Sequence, residues 1–483
     1  MTLSKRDWLA ATQCLALPWY ARRSERPPLS EATRFRMQQG QEVGAAARSL
    51  FPEGIFVMPT ATESAAAITA RLLTEPTNQT LFEATFAVDG LTAKADIVRR
   101  DNDGWHLIEV KSSFADTGDT ADLVADLTYT TMVMQRVGVP VLHSSLMLLS
   151  RTYRHGMAFD QLFETLDKTD VVRALLPEFD SRIGEITTAV FGDTRPTVVL
   201  CRTCRQCQFF VCECLGVGHE HTVLELPNLH HKKFRRLADE GFVGLADVPL
   251  DLELTERQQR VKDAALTGTM FVAPALIEAI QSIQWPCHYL DFETIATVMP
   301  MYPGHACHQQ VPTQFSVHHR DRLDAEPTHS EFLADARQPD ERRFVETLLA
   351  VLGTTGSIVV YSSFEKTRLK AMQAACPDLH ESVEGVLGRL VDLNAIVTAH
   401  VYHPAFRGST SIKTVLPTLV PDLSYDDLAI RDGDAAMTVF ARMAREEMPD
   451  HEIEANRTRL LEYCGRDTLA LVRLHEALAG MAT

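Results

Sequence analysis

Three groups of residues have types and spacings that could do chemistry. In the first, Ala93-Lys94-Ala95-Asp96-Ile97-Val98 and Leu107-Ile108-Glu109-Val110-Lys111 flank Asp101-Asn102-Asp103-Gly104, a hairpin turn signal. A turn centred between Asn102 and Asp103 sets Asp96 opposite Glu109. Glu109 and Lys111, two apart, leave the same face of a strand. Two carboxylates that share a divalent cation, with an ammonium beside them to orient water or offset phosphate charge, make a hydrolytic centre. Glu83, just upstream, stands near the same edge. A surface hairpin also carries such residues as solvated faces, but the turn chemistry and the apolar Leu107-Ile108 favour the site. In the second group, His288-Tyr289-Leu290-Asp291-Phe292-Glu293 reads as a buried strand with Asp291 and Glu293 on one face, and Val359 to Glu365 as an apolar strand ending in an acid. Tyr463 and Asp467 share a face of the final helix. Asp291, Glu293, Glu365 and Asp467 thus form a cation-holding set with one tyrosine, and Asp392 is the reserve for the third acid. The third group is Cys201-x2-Cys204-x2-Cys207-x4-Cys212-x-Cys214, more thiolates than one metal needs. Its spacing suits zinc and iron–sulfur equally. A distant ligand, Cys14, would tie the amino terminus to the end of the domain by closing a long loop.

These groups need elements to position them. At 483 residues the chain exceeds what one core usually serves, and 45% hydrophobic with 23% charged residues reads as globular protein. No apolar run approaches the roughly 18–20 residues of a membrane span. Trp8 to Trp19 lacks a small-residue cleavage site and is not read as a targeting segment. The net charge of −17 lowers the expectation of a nucleic-acid partner without removing it, because contact is decided by local patches. Ten cysteines are too few for a disulfide scaffold, and their clustering points to a metal site in a reducing, cytoplasmic setting. Strand-like runs at Leu81–Val88, Ala93–Arg100, Trp105–Lys111 and Val139–Leu149 place a first α/β domain over 1–215. A helical linker over 216–283 begins with the basic run His230–Arg236. Runs at Cys287–Phe292, Gln314–His319 and Ser357–Tyr361, then a helical tail at Glu452–Leu478, place a second α/β domain over 284–483. Gly408 to Thr414 lacks the second glycine of a nucleotide-binding loop, which leaves Lys413 as a phosphate or backbone contact.

The first half resembles RecB-like PD-(D/E)XK nucleases that carry an iron–sulfur cluster. The whole chain resembles bacterial proteins that join such a domain to a carboxy-terminal domain of unknown function. The motifs that carry the resemblance are Leu3-Ser4-Lys5, Phe82-Glu83-Ala84, Glu109-Val110-Lys111-Ser112, Tyr289-Leu290-Asp291-Phe292-Glu293, Ser411-Ile412-Lys413 and Tyr463-Cys464-x-x-Asp467-Thr468. The resemblance implies a restriction-endonuclease-like fold with Asp96, Glu109 and Lys111 at the metal. It also implies a 4Fe–4S cluster on Cys14, Cys201, Cys207 and Cys212, with Cys204 and Cys214 as substitutes and zinc as the alternative. The second half resembles DEDD exonucleases of ribonuclease-H-like fold. That implies two Mg²⁺ or Mn²⁺ ions about 4 Å apart on Asp291, Glu293, Glu365 and Asp467, with Tyr463 orienting the water. Three departures stand out. Thr130 follows Asp126 where a glutamine is usual, Glu42 stands near the place of an early histidine, and Glu365 replaces an aspartate. The expectation is a metal-dependent nuclease, an exonuclease acting on DNA in preference to RNA. With no ATP-binding motif, any helicase or defence or repair partner is a separate chain. Two alternatives stay open: a nucleic-acid-binding accessory protein with degenerate sites and a structural zinc or iron–sulfur site, and a zinc-stabilised enzyme with another substrate.

Overall fold

The structure is a computed structural model that describes residues 2–25 and 28–482. The chain divides into two compact units. One runs to Val199 and includes Thr297–Gln309; the other takes in Leu200–Ala296 and the chain from Gln310 onward. The expected boundary at 215 and the separate linker over 216–283 are therefore replaced. Leu200, Phe210, Val223, Leu237, Leu245 and Val261 share one core with Tyr289, Val359 and Leu471, so the amphipathic segments after the first unit bury their apolar faces within the second. Both units are α/β. No helix among the described residues is long and apolar enough to cross a membrane.

In the first unit, β1 (Leu3–Ser4), β2 (Ile55–Phe56), β3 (Thr80–Val88), β4 (Leu91–Asp101), β5 (Gly104–Phe114), β6 (Val141–Leu149) and β7 (Phe163–Asp167) form a seven-stranded sheet. Its order is β2-β3-β4-β5-β6-β7, with β1 against β4. Ile97 pairs with Ile108 and Asp101 with Gly104, the register the turn signal predicts, and Asn102 takes the positive φ that such a turn needs. Helices α1 (Lys5–Gln13), α2 (Glu31–Ser49), α3 (Ala121–Arg136) and α4 (Thr169–Phe191) cover the sheet. Ser4 and Asp7 form a capping box that starts α1 and fixes where Lys5 emerges. Trp8 of α1 lies between Tyr129 of α3 and Phe179 of α4 in the core that also buries Leu107. The next residue, Ile108, packs with Ala47 of α2, as strand alternation requires.

In the second unit, β8 (Phe271–Val272) pairs with β14 (Val401–Tyr402). The main sheet holds β9 (Cys287–Ile295), β10 (Val311–Arg320), β11 (Thr328–Leu333), β12 (Ser357–Val360) and β13 (Leu390–Asp392) in the order β11-β10-β9-β12-β13. The first three strands are antiparallel, whereas β12 is parallel to β9 and β13 to β12. Its helices include α5 (Glu341–Leu352), α6 (Phe364–Ala375), α7 (Leu393–His400), α8 (Ile412–Leu419), α9 (Gly433–Ala444) and α10 (Asp450–Met481). Leu290 and Phe292 pack with Phe344 and Leu348 of α5. The alternate residues Tyr289, Asp291 and Glu293 therefore point to the opposite face. There α10 is fastened: the Tyr289 hydroxyl meets His475 Nδ1 at 2.8 Å, and Gln314 donates to the Leu460 carbonyl at 2.9 Å. The expected strand from Val359 to Glu365 is corrected, since β12 stops at Val360 and Glu365 arrives on the first turn of α6.

Gly356, just before β12, has φ +78°, and a Cβ there would come within 1.8 Å of the Pro286 carbonyl oxygen. Gly356→Ala is expected to cost the second unit about 2 kcal/mol or more, because backbone rather than a movable side chain blocks the methyl. Urea unfolding of the two proteins measures the loss.

Candidate active sites

The first site grows out of the fork between β4 and β5. Their ladder is paired at Ile97 and Ile108. One step further, Asp96 Oδ2 accepts from the Val110 N–H at 2.8 Å, so the carboxylate stands where a strand carbonyl would be. Asp96 lines a recess with Glu83 and with Gly40 and Gly44 of α2. Glu83, at positive φ, carries ion pairs to Lys94 and Arg48. Glu109, with a side chain 0% exposed, turns instead to α3. Its Oε1 accepts from Lys5 at 3.1 Å and from the Thr130 hydroxyl at 3.0 Å, and its Oε2 lies 3.4 Å from Lys111. Asp126 completes a ring, with Oδ1 2.6 Å from Lys5 and Oδ2 2.7 Å from Lys111. Two ammonium groups and two carboxylates thereby neutralise one another. Burial, with Asp96 adding to it, pushes Glu109 up to about 7 against the pull of both lysines. Burial opposes the charge on Lys111, yet Glu109 and Asp126 outweigh it and hold that lysine above its usual range.

Glu109 and Lys111 thus meet as their spacing predicts. Asp96 stands close enough to act on both, while its carboxylate bonds elsewhere. Sequence reasoning missed Lys5 and Asp126. Lys5 was visible only as part of a motif, and Asp126 only as the residue before an absent glutamine. Thr130, in that glutamine's place, bonds Glu109 directly. Glu42 takes a hydrogen bond from Gln38.

Lys5 is 23% exposed and holds buried Glu109 and half-buried Asp126. Lys5→Met leaves those acids sharing Lys111, and the expected loss is about 2–3 kcal/mol for the first unit. The more exposed Lys94 should cost no more than about 0.5 kcal/mol on replacement by methionine. Thermal melts of the two variants provide the comparison.

The second site is a pocket of acids. Asp291 and Glu293 from β9 and Asp467 from α10 each place a carboxylate oxygen within 4.8 Å of the others. Glu365 is buried just outside this trio, accepts from Ser362 at 3.4 Å, and raises the carboxyls of Asp291 and Glu293. Asp392 caps α7, its Oδ1 accepting from the N–H groups of Asn394 and Ala395, and its charge also acts on Glu365. Tyr463, one turn before Asp467, bonds it. A second tyrosine, Tyr425, donates to Asp467 Oδ1 at 2.6 Å. Cys464 lies 3.6 Å from Asp291 Oδ2. Burial and then neighbouring carboxylates lift Asp291 well above the usual range and Glu293 to about 8. Burial lifts Glu365 to about 7, and Asp467 to about 6 against the pull of the two tyrosines and Lys413. Tyr425 gave no signal in the sequence, since it reaches Asp467 from a loop 42 residues away.

The thiols divide between the units. Cys14 belongs to the first; Cys201, Cys204, Cys207, Cys212 and Cys214 belong to the second. Cys201 Sγ lies 3.2 Å from Cys204 Sγ, and the Cys201 N–H points to the same sulfur at 3.3 Å. Cys204 therefore stands with Cys201 rather than apart as a spare. Cys212 is exposed and donates to the Gln208 carbonyl at 3.1 Å.

Residues 288–411 match a domain of unknown function, DUF2779. That stretch holds Asp291, Glu293 and Glu365 but stops before Tyr425, Tyr463 and Asp467. No curated protein and no solved structure matches the chain.

Carboxyls raised in the folded chain bind protons more tightly there than when unfolded. Their contribution to stability is full below the ordinary carboxylate range and is lost as pH climbs through about 6 to 8. In EDTA, the melting temperature of the second unit should fall between about pH 5 and pH 8, and Mn²⁺ should restore it at the upper end. A flat profile in calorimetry would show that the acids do not crowd.

Proposed function

We propose that the protein is a divalent-cation-dependent nuclease whose working centre is the acid pocket of the second unit. The observation that carries this reading is the meeting of Asp291, Glu293 and Asp467 from a strand and a distant helix, with Glu365 and Tyr463 beside them. The strand order β11-β10-β9-β12-β13, three antiparallel and two parallel, supports a ribonuclease-H-like arrangement. The donor set fits Mg²⁺ or Mn²⁺, which prefer hard anionic oxygens. Such ions, when bound, polarise phosphoryl oxygens and acidify water.

The chain's own groups do the rest. Asp291, Glu293 and Asp467 would hold the ions. Tyr463 keeps its proton, because burial and the nearby acids push its hydroxyl far above neutrality, and so it orients by donating. Glu365, buried beside the trio, would complete the set of acids that holds the ions.

A second reading applies to the first unit. The closed ring of Lys5, Glu109, Lys111 and Asp126 favours a degenerate, strand-holding role there over a restriction-endonuclease-like cutting centre. The thiolates of the second unit suit an iron–sulfur cluster or zinc by donor chemistry. Iron content and colour of an anaerobic preparation, with Cys14→Ala set against Cys204→Ala, distinguish the two ligand sets.

The native chain should cut end-labelled single strands of DNA or RNA in Mn²⁺, with DNA the preferred substrate. Asp291→Asn should lower the rate at least about a hundredfold, while Asp96→Asn leaves most of it. If Asp96→Asn alone abolishes cutting, the first unit is the working centre. If the native chain cuts nothing, the accessory reading stands.

A further inference from the structure

Three exposed lysines near the acid pocket have no carboxylate partner among the described residues. In a chain of net charge −17, surface arginines mostly meet carboxylates: Arg342 meets Asp378, Arg466 meets Asp427, and Arg473 meets Asp422. Lys366 and Lys370 do not. They are exposed, lie one turn apart on α6, and have no carboxylate within 4.0 Å among the described residues. Exposed Lys413, in the first turn of α8, is also without one. Both helix starts border the pocket. Glu365 opens α6 directly before Lys366, and Lys413 pulls down the carboxyls of Glu293 and Asp467. The Tyr361 hydroxyl, just past the end of β12, donates to the Thr410 carbonyl at 2.8 Å. That bond fastens the segment leading into α8 to the strand end from which α6 departs.

Carboxylates alone repel a phosphodiester, so a pocket of acids needs cations beside it to hold the phosphates on either side of the reacting one. We propose that Lys366, Lys370 and Lys413 are the phosphate track that leads a single-stranded polynucleotide to the acid pocket. This rests on the nuclease reading of that pocket. A single strand is the occupant, since its flexible backbone can follow cations set on two separate helices. The other basic stretch, on the helix His231–Asp239, is partly spent: Arg236 is bound to Glu240 and Asp251, and Lys233 to the Glu253 carbonyl.

The test is anisotropy of a labelled oligodeoxythymidine strand on the full chain in Ca²⁺, over a series of salt concentrations, with cutting read separately in Mn²⁺. The combined variant Lys366→Gln, Lys370→Gln, Lys413→Gln should bind about tenfold more weakly, and its salt slope should fall by about two, as loss of three single-strand contacts implies. Its melting temperature at about pH 5, where the raised carboxyls are largely protonated, should stay close to that of the native chain, since the three side chains are exposed. Lys232→Gln with Arg235→Gln should bind within about twofold of the native chain. The track is overturned if the native chain cuts while the triple variant binds like it, if the loss appears in the Lys232 and Arg235 variant instead, or if a duplex binds as tightly as the single strand. If the native chain neither binds nor cuts, the nuclease reading itself falls.

Discussion

Electrostatic crowding in the second unit is the constraint around which the rest of that unit is arranged. Three carboxylates with oxygens within 4.8 Å of one another, and a fourth close by, repel whenever they are ionised, and burial strengthens the repulsion. A fold that keeps such a group must hold it rigidly from outside. The Ser316 hydroxyl, on the residue paired with Asp291, lies 2.7 Å from the hydroxyl of Thr468, next to Asp467. His318 meets the same Thr468 at 2.8 Å. The helix that carries Asp467 is therefore joined by hydrogen bonds to β10, the strand paired with the one that carries Asp291.

The first unit resolves the same physical problem differently. Its buried Glu109 and its neighbour Asp126 are met by two lysines, and each lysine touches both acids. A self-neutralised ring has little residual field with which to attract a cation, whereas uncompensated acids have a large one. The two centres thus differ in kind, although both present carboxylates on a sheet. On the proposed function, this difference assigns cutting to the second unit and makes the first a scaffold or a strand-holding surface.

Much of this was legible in the sequence because it rests on local rules. The hairpin register followed from Asp101-Asn102-Asp103-Gly104, strand alternation put Glu109 with Lys111 and Asp291 with Glu293, and helical spacing put Tyr463 with Asp467. What stayed hidden depends on contacts between distant segments. Lys5 reaches Glu109 across 104 residues, and Tyr425 reaches Asp467 across 42; no spacing rule connects them. The unit boundary was also missed, because helical segments after residue 200 look alike whether they bridge two cores or complete one.

Glu365 shows how a misread element can leave the chemistry intact. An acid on β12 itself would leave one face of the sheet. The chain instead turns after Val360 through Tyr361, Ser362 and Ser363 and presents the acid from the first turn of α6. There the positive end of the helix dipole favours a carboxylate, and the extra methylene of glutamate gives added reach toward the trio. The substitution and the helical setting are consistent with each other. The competing acid, Asp392, forms a helix cap at the end of the next parallel strand. Asp392 thus bonds backbone N–H groups through one oxygen while its charge still acts on Glu365, which stands nearer the trio's carboxyls.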